Sequence, residues 1–96
     1  MREFFRTTVE TWHGNEAVLY IEFTDRLPSR QVSNVGDRWL TSRSDFDDDI
    51  GPLLTEGELE PGEFGEADRL TEEQFEQLWR KAALAEDDAT GGASTA

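Results

Sequence analysis

The chain has 96 residues, no cysteine, and a formal net charge of −13 with a pI near 4.2. This length allows one domain with one modest core. The missing thiols exclude disulfides, thiolate metal sites and cysteine catalysis, and the acidity repels nucleic-acid phosphates and anionic lipid.

The charge is divided unevenly. Residues 1–43 balance Glu3, Glu10, Glu16, Glu22, Asp25 and Asp37 against Arg2, Arg6, Arg26, Arg30, Arg38 and Arg43. All of the excess lies in residues 44–96, where Arg69, Arg80 and Lys81 are the only bases. The opening segment MREFFRTTVE lacks a continuous apolar run and does not read as a signal peptide. No stretch approaches the ~20 apolar residues of a membrane span. A cytoplasmic chain is the expectation.

Residues 2–12 are rich in aromatic, Thr and β-branched residues and predict a strand. His13-Gly14-Asn15-Glu16 is turn chemistry. Residues 17–24 alternate, with Ala17, Leu19, Ile21 and Phe23 on an apolar face and Glu22 and Thr24 marking a wetter one. Together these segments predict a β-hairpin. Asp25–Ser29 reads as a second turn, residues 30–35 as a third strand near an edge, Gly36-Asp37 as a tight turn, and residues 38–43 as a fourth strand.

Residues 44–69 have no sustained period and are broken by Gly51, Pro52, Gly57, Pro61, Gly62 and Gly65. Connections of this length inside a compact domain tend to be functional or disordered. Their spaced apolar residues offer anchors to the sheet, with a short strand at Leu53–Leu59 as one reading.

Leu70-Thr71-Glu72-Glu73-Gln74-Phe75 is a helix start. Thr71 and Gln74 form a capping box, and Leu70 and Phe75 a hydrophobic staple. Phe75, Leu78, Trp79 and Ala82 give the stripe of an amphipathic helix, expected to run to about Leu84. Residues 86–96 then form a polar, disordered tail beyond a domain spanning 1–85. The fold class is α+β: a three- or four-stranded antiparallel meander with one C-terminal helix packed on it.

The order Tyr20-Ile21-Glu22, Arg30-Gln31-Val32, Gly36-Asp37-Arg38-Trp39 and the closing Thr-x-x-x-Phe-Glu-x-x-Trp helix from Thr71 to Trp79 resembles a small bacterial domain family of unknown function. The resemblance spans roughly residues 4–84. It implies the same architecture and carries no activity.

The candidate chemistry lies in the acidic connection. Asp45, Asp47, Asp49 and Glu56 fall at positions 1, 3, 5 and 12 of a calcium loop. Ile50 at position 6 and Pro52 at position 8 depart from that pattern, and a solvated acidic loop is the plainer reading. His13 is the one histidine and sits in a turn; no nucleophile elbow or phosphate loop is present, so neither an enzyme nor a cofactor is expected.

Trp12, Trp39 and Trp79 are expected to pack in the core, with interface anchors as the other reading. Phe46 and Phe64, set among carboxylates, suit a basic groove or anchor the loop to its own sheet. Arg26, Arg30, Arg38 and Arg43 are expected to pair with the acidic loop folded over them.

Three functions follow. The first is an interaction protein that docks on a basic protein surface through Asp45, Phe46, Asp47, Asp48, Asp49, Glu56, Glu58, Glu60, Glu63, Phe64 and Glu66. The second is nucleic-acid mimicry, in which carboxylates occupy the groove of a nucleic-acid-binding partner, as an immunity protein or a phage-borne inhibitor of host defence would do. The third is a divalent-cation or ligand-binding domain. Direct nucleic-acid or membrane binding is not expected.

Overall fold

A computed structural model describes residues 1–55 and 61–94, with side chains as far as Asp88. The long hairpin is β1 (Arg2–Glu10) and β2 (Glu16–Thr24), in register from Arg2 opposite Thr24 to Glu10 opposite Glu16. β3 (Leu27–Val35) and β4 (Arg38–Thr41) continue the meander. The two-residue strands β5 (Phe46–Asp47) and β6 (Gly51–Pro52) pair only with each other. Two 3₁₀ turns, Pro61–Glu63 and Glu66–Asp68, lead to β7 (Arg69–Leu70), which pairs with β1 at Phe4 and Phe5. The chain closes with helix α1 (Glu72–Ser94). The main sheet is antiparallel with order β4-β3-β2-β1-β7, so the α+β meander with one closing helix is the fold, with β7 as its fifth strand.

The second turn is shorter than expected. Asp25 and Arg26 alone make it, both at positive φ (51° and 71°). The N-terminal ammonium ion bonds Asp25 Oδ1 at 2.7 Å, and the Asp25 amide returns a bond to the Met1 carbonyl. β3 therefore begins at Leu27 and contains Pro28. It is an interior strand rather than an edge one, but β4 covers only its second half from Val32 onward. Pro28 lies in the uncovered half, where no ladder donor is required on the open side.

The sheet is covered on both faces. Phe5, Ala17, Leu19, Ile21, Phe23 and Val35 form a buried layer against which Ile50 and Phe64 of the connection pack. The face carrying Ala17, Leu19, Ile21 and Phe23 thus lies under Ile50 and Phe64 of the connection, not under the helix. Helix α1 takes the other face, where Phe4, Val32, Phe75 and Ala82 are buried among Tyr20, Trp39, Leu70 and Trp79. The wetter side assigned to Glu22 is corrected: Glu22 is 3% exposed, beneath the helix.

A buried carboxylate needs compensation, and Glu22 has it. Arg30 Nε and Nη2 reach its two oxygens at 2.9 and 2.6 Å, Ser29 Oγ bonds it at 2.7 Å, and Arg2 approaches at 3.4 Å. Arg30 also bonds Glu76 on α1 and lies over the Phe75 and Trp79 rings at 5.1 and 5.0 Å. The arginine therefore binds sheet to helix by charge and by ring face.

The helix starts as expected. Thr71 N–H donates to Gln74 Oε1 at 2.9 Å and Gln74 N–H to Thr71 Oγ1 at 3.1 Å. Its end does not: α1 continues past Leu84 to Ser94. Glu86, assigned to a loose tail, accepts from the Thr41 amide (2.9 Å), the Thr41 hydroxyl and Arg43 Nη2 (2.9 Å). A boundary at residue 85 would cut through the helix and discard this contact.

Candidate partner-binding surface

The segment Asp45–Leu53 is an ordered cap on the β1–β2 turn. Asp47 makes a local turn, its Oδ2 accepting the amides of Asp49 (3.0 Å) and Ile50 (3.1 Å) while its other oxygen pairs with Arg38. Leu53 N–H closes the small β5–β6 hairpin on the Asp45 carbonyl, and the Leu53 side chain is buried. Asp49 joins this hairpin to the turn. It is 7% exposed, accepts the His13 amide at 3.0 Å and Asn15 Nδ2 at 3.2 Å, and takes the Trp12 amide on its carbonyl at 3.0 Å.

Partial burial works against ionisation of Asp47 and Asp49, but the donors outweigh it. Backbone amides and Arg38 hold Asp47 below the usual carboxylate range, and Thr11, Asn15 and the His13 amide do the same for Asp49. Two of the four clustered aspartates are thus structural acceptors. Asp45 and Asp48 remain exposed.

This cap displays an aromatic pair. Trp12 is 65% exposed and Phe46 54% exposed, with ring centroids 5.7 Å apart. The expectation that Trp12 is a core residue is therefore corrected. Trp12 lies where β1 has ended, and its ring rests on Gly51. A Cβ there would come within 3.1 Å of Trp12 Cζ2, and Gly51 has φ +89°, so glycine is required both for space and for backbone shape.

Carboxylates surround the pair's end of the sheet. Glu10 and Glu16 face each other across the hairpin, and Asp37 projects from the next turn, where Glu16, Asp37, Arg38 and Asp49 line one open groove.

The other assigned residues go elsewhere. Phe64 is half-buried, its ring centroid 4.8 Å from that of Phe5 in a stack and 6.0 Å from that of Phe23, so it anchors the connection to the core. Gln31 secures the same connection, its Oε1 accepting the amide and hydroxyl of Thr55. Glu63 and Glu66 are exposed on the 3₁₀ turns leading to β7. Glu56, Glu58, Glu60 and most of the candidate strand Leu53–Leu59 lie outside the described residues; Leu53 itself follows β6 and is not in a strand.

Among the described residues, no group of three or more His, Asp or Glu side chains is placed to hold a metal ion. Asp47 and Asp49 have turned their oxygens to amides instead, and Glu56, the fourth calcium candidate, is not described. No helix among the described residues is long and apolar enough to cross a membrane.

The arginines pair mostly with the sheet and helix. Arg30 bonds Glu22 and Glu76, and Arg43 bonds Glu86 and Asp87; of these four arginines, among the described residues only Arg38 meets the acidic loop, at Asp47. Arg26 has no ion pair among the described residues. Trp39 and Trp79 are half-buried between helix and sheet, as a core assignment requires.

Sequence reasoning passes over Glu10, Glu16 and Asp37 and weights Trp12 toward the core. The one signal for Trp12 in the sequence is position: it directly precedes the His13-Gly14 turn, where strand alternation stops directing side chains inward. No family model, curated protein sequence or solved structure matches the chain.

Proposed function

We propose that this chain is a non-enzymatic interaction protein that docks the Trp12–Phe46 end of its sheet on a basic surface of a partner protein. The exposed aromatic pair carries the reading. Two large rings held together in water by a purpose-shaped loop, with Gly51 beneath one of them, offer the apolar anchor on which interface energy concentrates. The exposed carboxylates Glu10, Glu16, Asp37, Asp45 and Asp48 supply a rim that steers a basic partner and raises the association rate.

The test is affinity capture at low salt followed by binding kinetics with the purified captured protein. Trp12→Ser with Phe46→Ser should speed dissociation by at least roughly tenfold, the loss of one hot spot. Asp45→Asn with Asp48→Asn should slow association, and high salt should reproduce that slowing in the parent. Asp47 and Asp49 are left intact because they hold the loop. Unchanged dissociation in the aromatic variant would refute the surface. Competition by duplex DNA for the captured protein would identify the contact as nucleic-acid mimicry.

A further inference from the structure

Beyond Phe5, the outer edge of β1 is unpaired among the described residues. β7 pairs with β1 only at Phe4 and Phe5, so Arg6, Thr7, Thr8, Val9 and Glu10 have no strand on that side among the described residues. Parity identifies which backbone groups are presented. Thr11 N–H donates to the Asn15 carbonyl on the β2 side, and the β1–β2 register has no break, so Arg6, Thr8 and Glu10 turn their N–H and C=O groups to the open edge. Natural edges are usually blunted by proline, a bulge or charged side chains, lysine above all. Residues 6–10 contain no proline, lysine or bulge, and their two charges, Arg6 and Glu10, are of opposite sign.

The side chains along this edge are complementary to themselves. The segment reads Arg6-Thr7-Thr8-Val9-Glu10. An antiparallel copy centred on Thr8 sets Arg6 opposite Glu10 of the second chain, Thr7 opposite Val9, and Thr8 opposite Thr8. Arg6 has no ion pair among the described residues, and Glu10 faces Glu16, a like-charge pair that costs stability. Self-pairing gives each of them an opposite charge. Val9, 37% exposed, gains an apolar contact. The 3₁₀ turn ending at Asp68 leads into β7 at the Arg6 end, so the pairing extends no further than Glu10 opposite Arg6.

We infer that two copies of this chain associate through the β1 edges, antiparallel about Thr8, to join their sheets across a two-fold axis. Such an isologous contact is closed and cannot propagate. Five residues per strand make a small interface, so the dimer is weak and forms with rising concentration. This contact shares Glu10 with the carboxylate rim of the aromatic surface but uses neither Trp12 nor Phe46, and it does not depend on that reading.

Sedimentation velocity from micromolar to millimolar protein tests the inference. The parent should shift from monomer to dimer. Arg6→Glu and Glu10→Arg should each weaken dimerisation by roughly tenfold or more, because each places like charges opposite one another. An equimolar mixture of the two variants should restore it. In that heterodimer one chain carries acids at both positions 6 and 10 and the other carries bases at both, so every facing pair is again of opposite charge. Circular dichroism confirms that each variant is folded, and Thr8→Pro, which removes an outward N–H, should abolish dimerisation independently. A parent that remains monomeric throughout overturns the inference. So does a dimer indifferent to the charge variants, or one lost instead with Trp12→Ser.

Discussion

At Asp49 an acidic residue is buried to hold three backbone and side-chain donors, while its neighbour Asp48 stands in water. Asp49→Ala strands the His13 amide and the Asn15 side chain and should lower the melting temperature by several degrees, whereas Asp48→Asn should leave it unchanged or raise it slightly. Thermal melts of the two variants check this. The run of four aspartates is not uniformly surplus charge, which the sequence does not disclose: an Asx turn at Asp47 and a bridge from Asp49 to a turn 34 residues away depend on contacts that no local pattern encodes. The exposure of Trp12 is hidden for the same reason, because the loop that exposes it is distant in the chain. Arg26 offers a second test. It is exposed, at φ 71°, in a two-residue hairpin turn that favours glycine at this place. Left-handed backbone costs a non-glycine residue ~1 kcal/mol or more, so Arg26→Gly should raise the melting temperature even after the entropy that glycine adds to the unfolded chain.

Helix α1 is legible at its start and not at its end. The capping box and staple are written within six residues, and Thr71→Ala should cost ~1 kcal/mol in a denaturation titration. The continuation beyond Leu84 depends on Glu86 meeting Thr41 and Arg43, residues more than 40 positions earlier. A chain ending after Asp88 should therefore melt like the parent, and one ending after Ala85 should melt lower. A second contact of the helix depends on pH. Arg30 is the main cause that holds Glu22 and Glu76 below the ordinary carboxylate range, against burial. Because the folded chain binds these protons less readily than the unfolded chain, the stabilisation is full above the ordinary range and disappears as pH falls through the depressed folded values. In high salt, which screens the exposed charges more than the enclosed ones, the melting temperature should hold from pH 7 to about 5 and decline below about 4. Arg30→Met should flatten that decline; an equally steep decline in the variant would place the acid-sensitive group elsewhere.

Across the whole molecule 22 acids stand against nine bases, and the arginines at positions 2, 30, 38, 43 and 69 each pair with a carboxylate, pairs that leave the net charge of −13 unchanged. Such a surplus opposes compaction through repulsion summed over many exposed acids, and the unfolded chain relieves it by expanding. Exposed ion pairs contribute only ~0–1 kcal/mol each and are also weakened by salt, so salt acts on the protein in two opposing directions. The repulsive contribution is the larger because the chain carries 22 acids against nine bases, and the most enclosed pair, Glu22 with Arg30, is little screened. Raising sodium chloride from about 20 mM to about 500 mM shortens the screening length from roughly 20 Å to a few ångströms. The melting temperature should rise over that range. A fall would mean that surface ion pairs, rather than repulsion, dominate the electrostatics of folding, and that the acidity is balanced within the fold. A rise identifies the excess charge as a cost to the isolated domain, one that a basic partner at the Trp12–Phe46 end would relieve on binding.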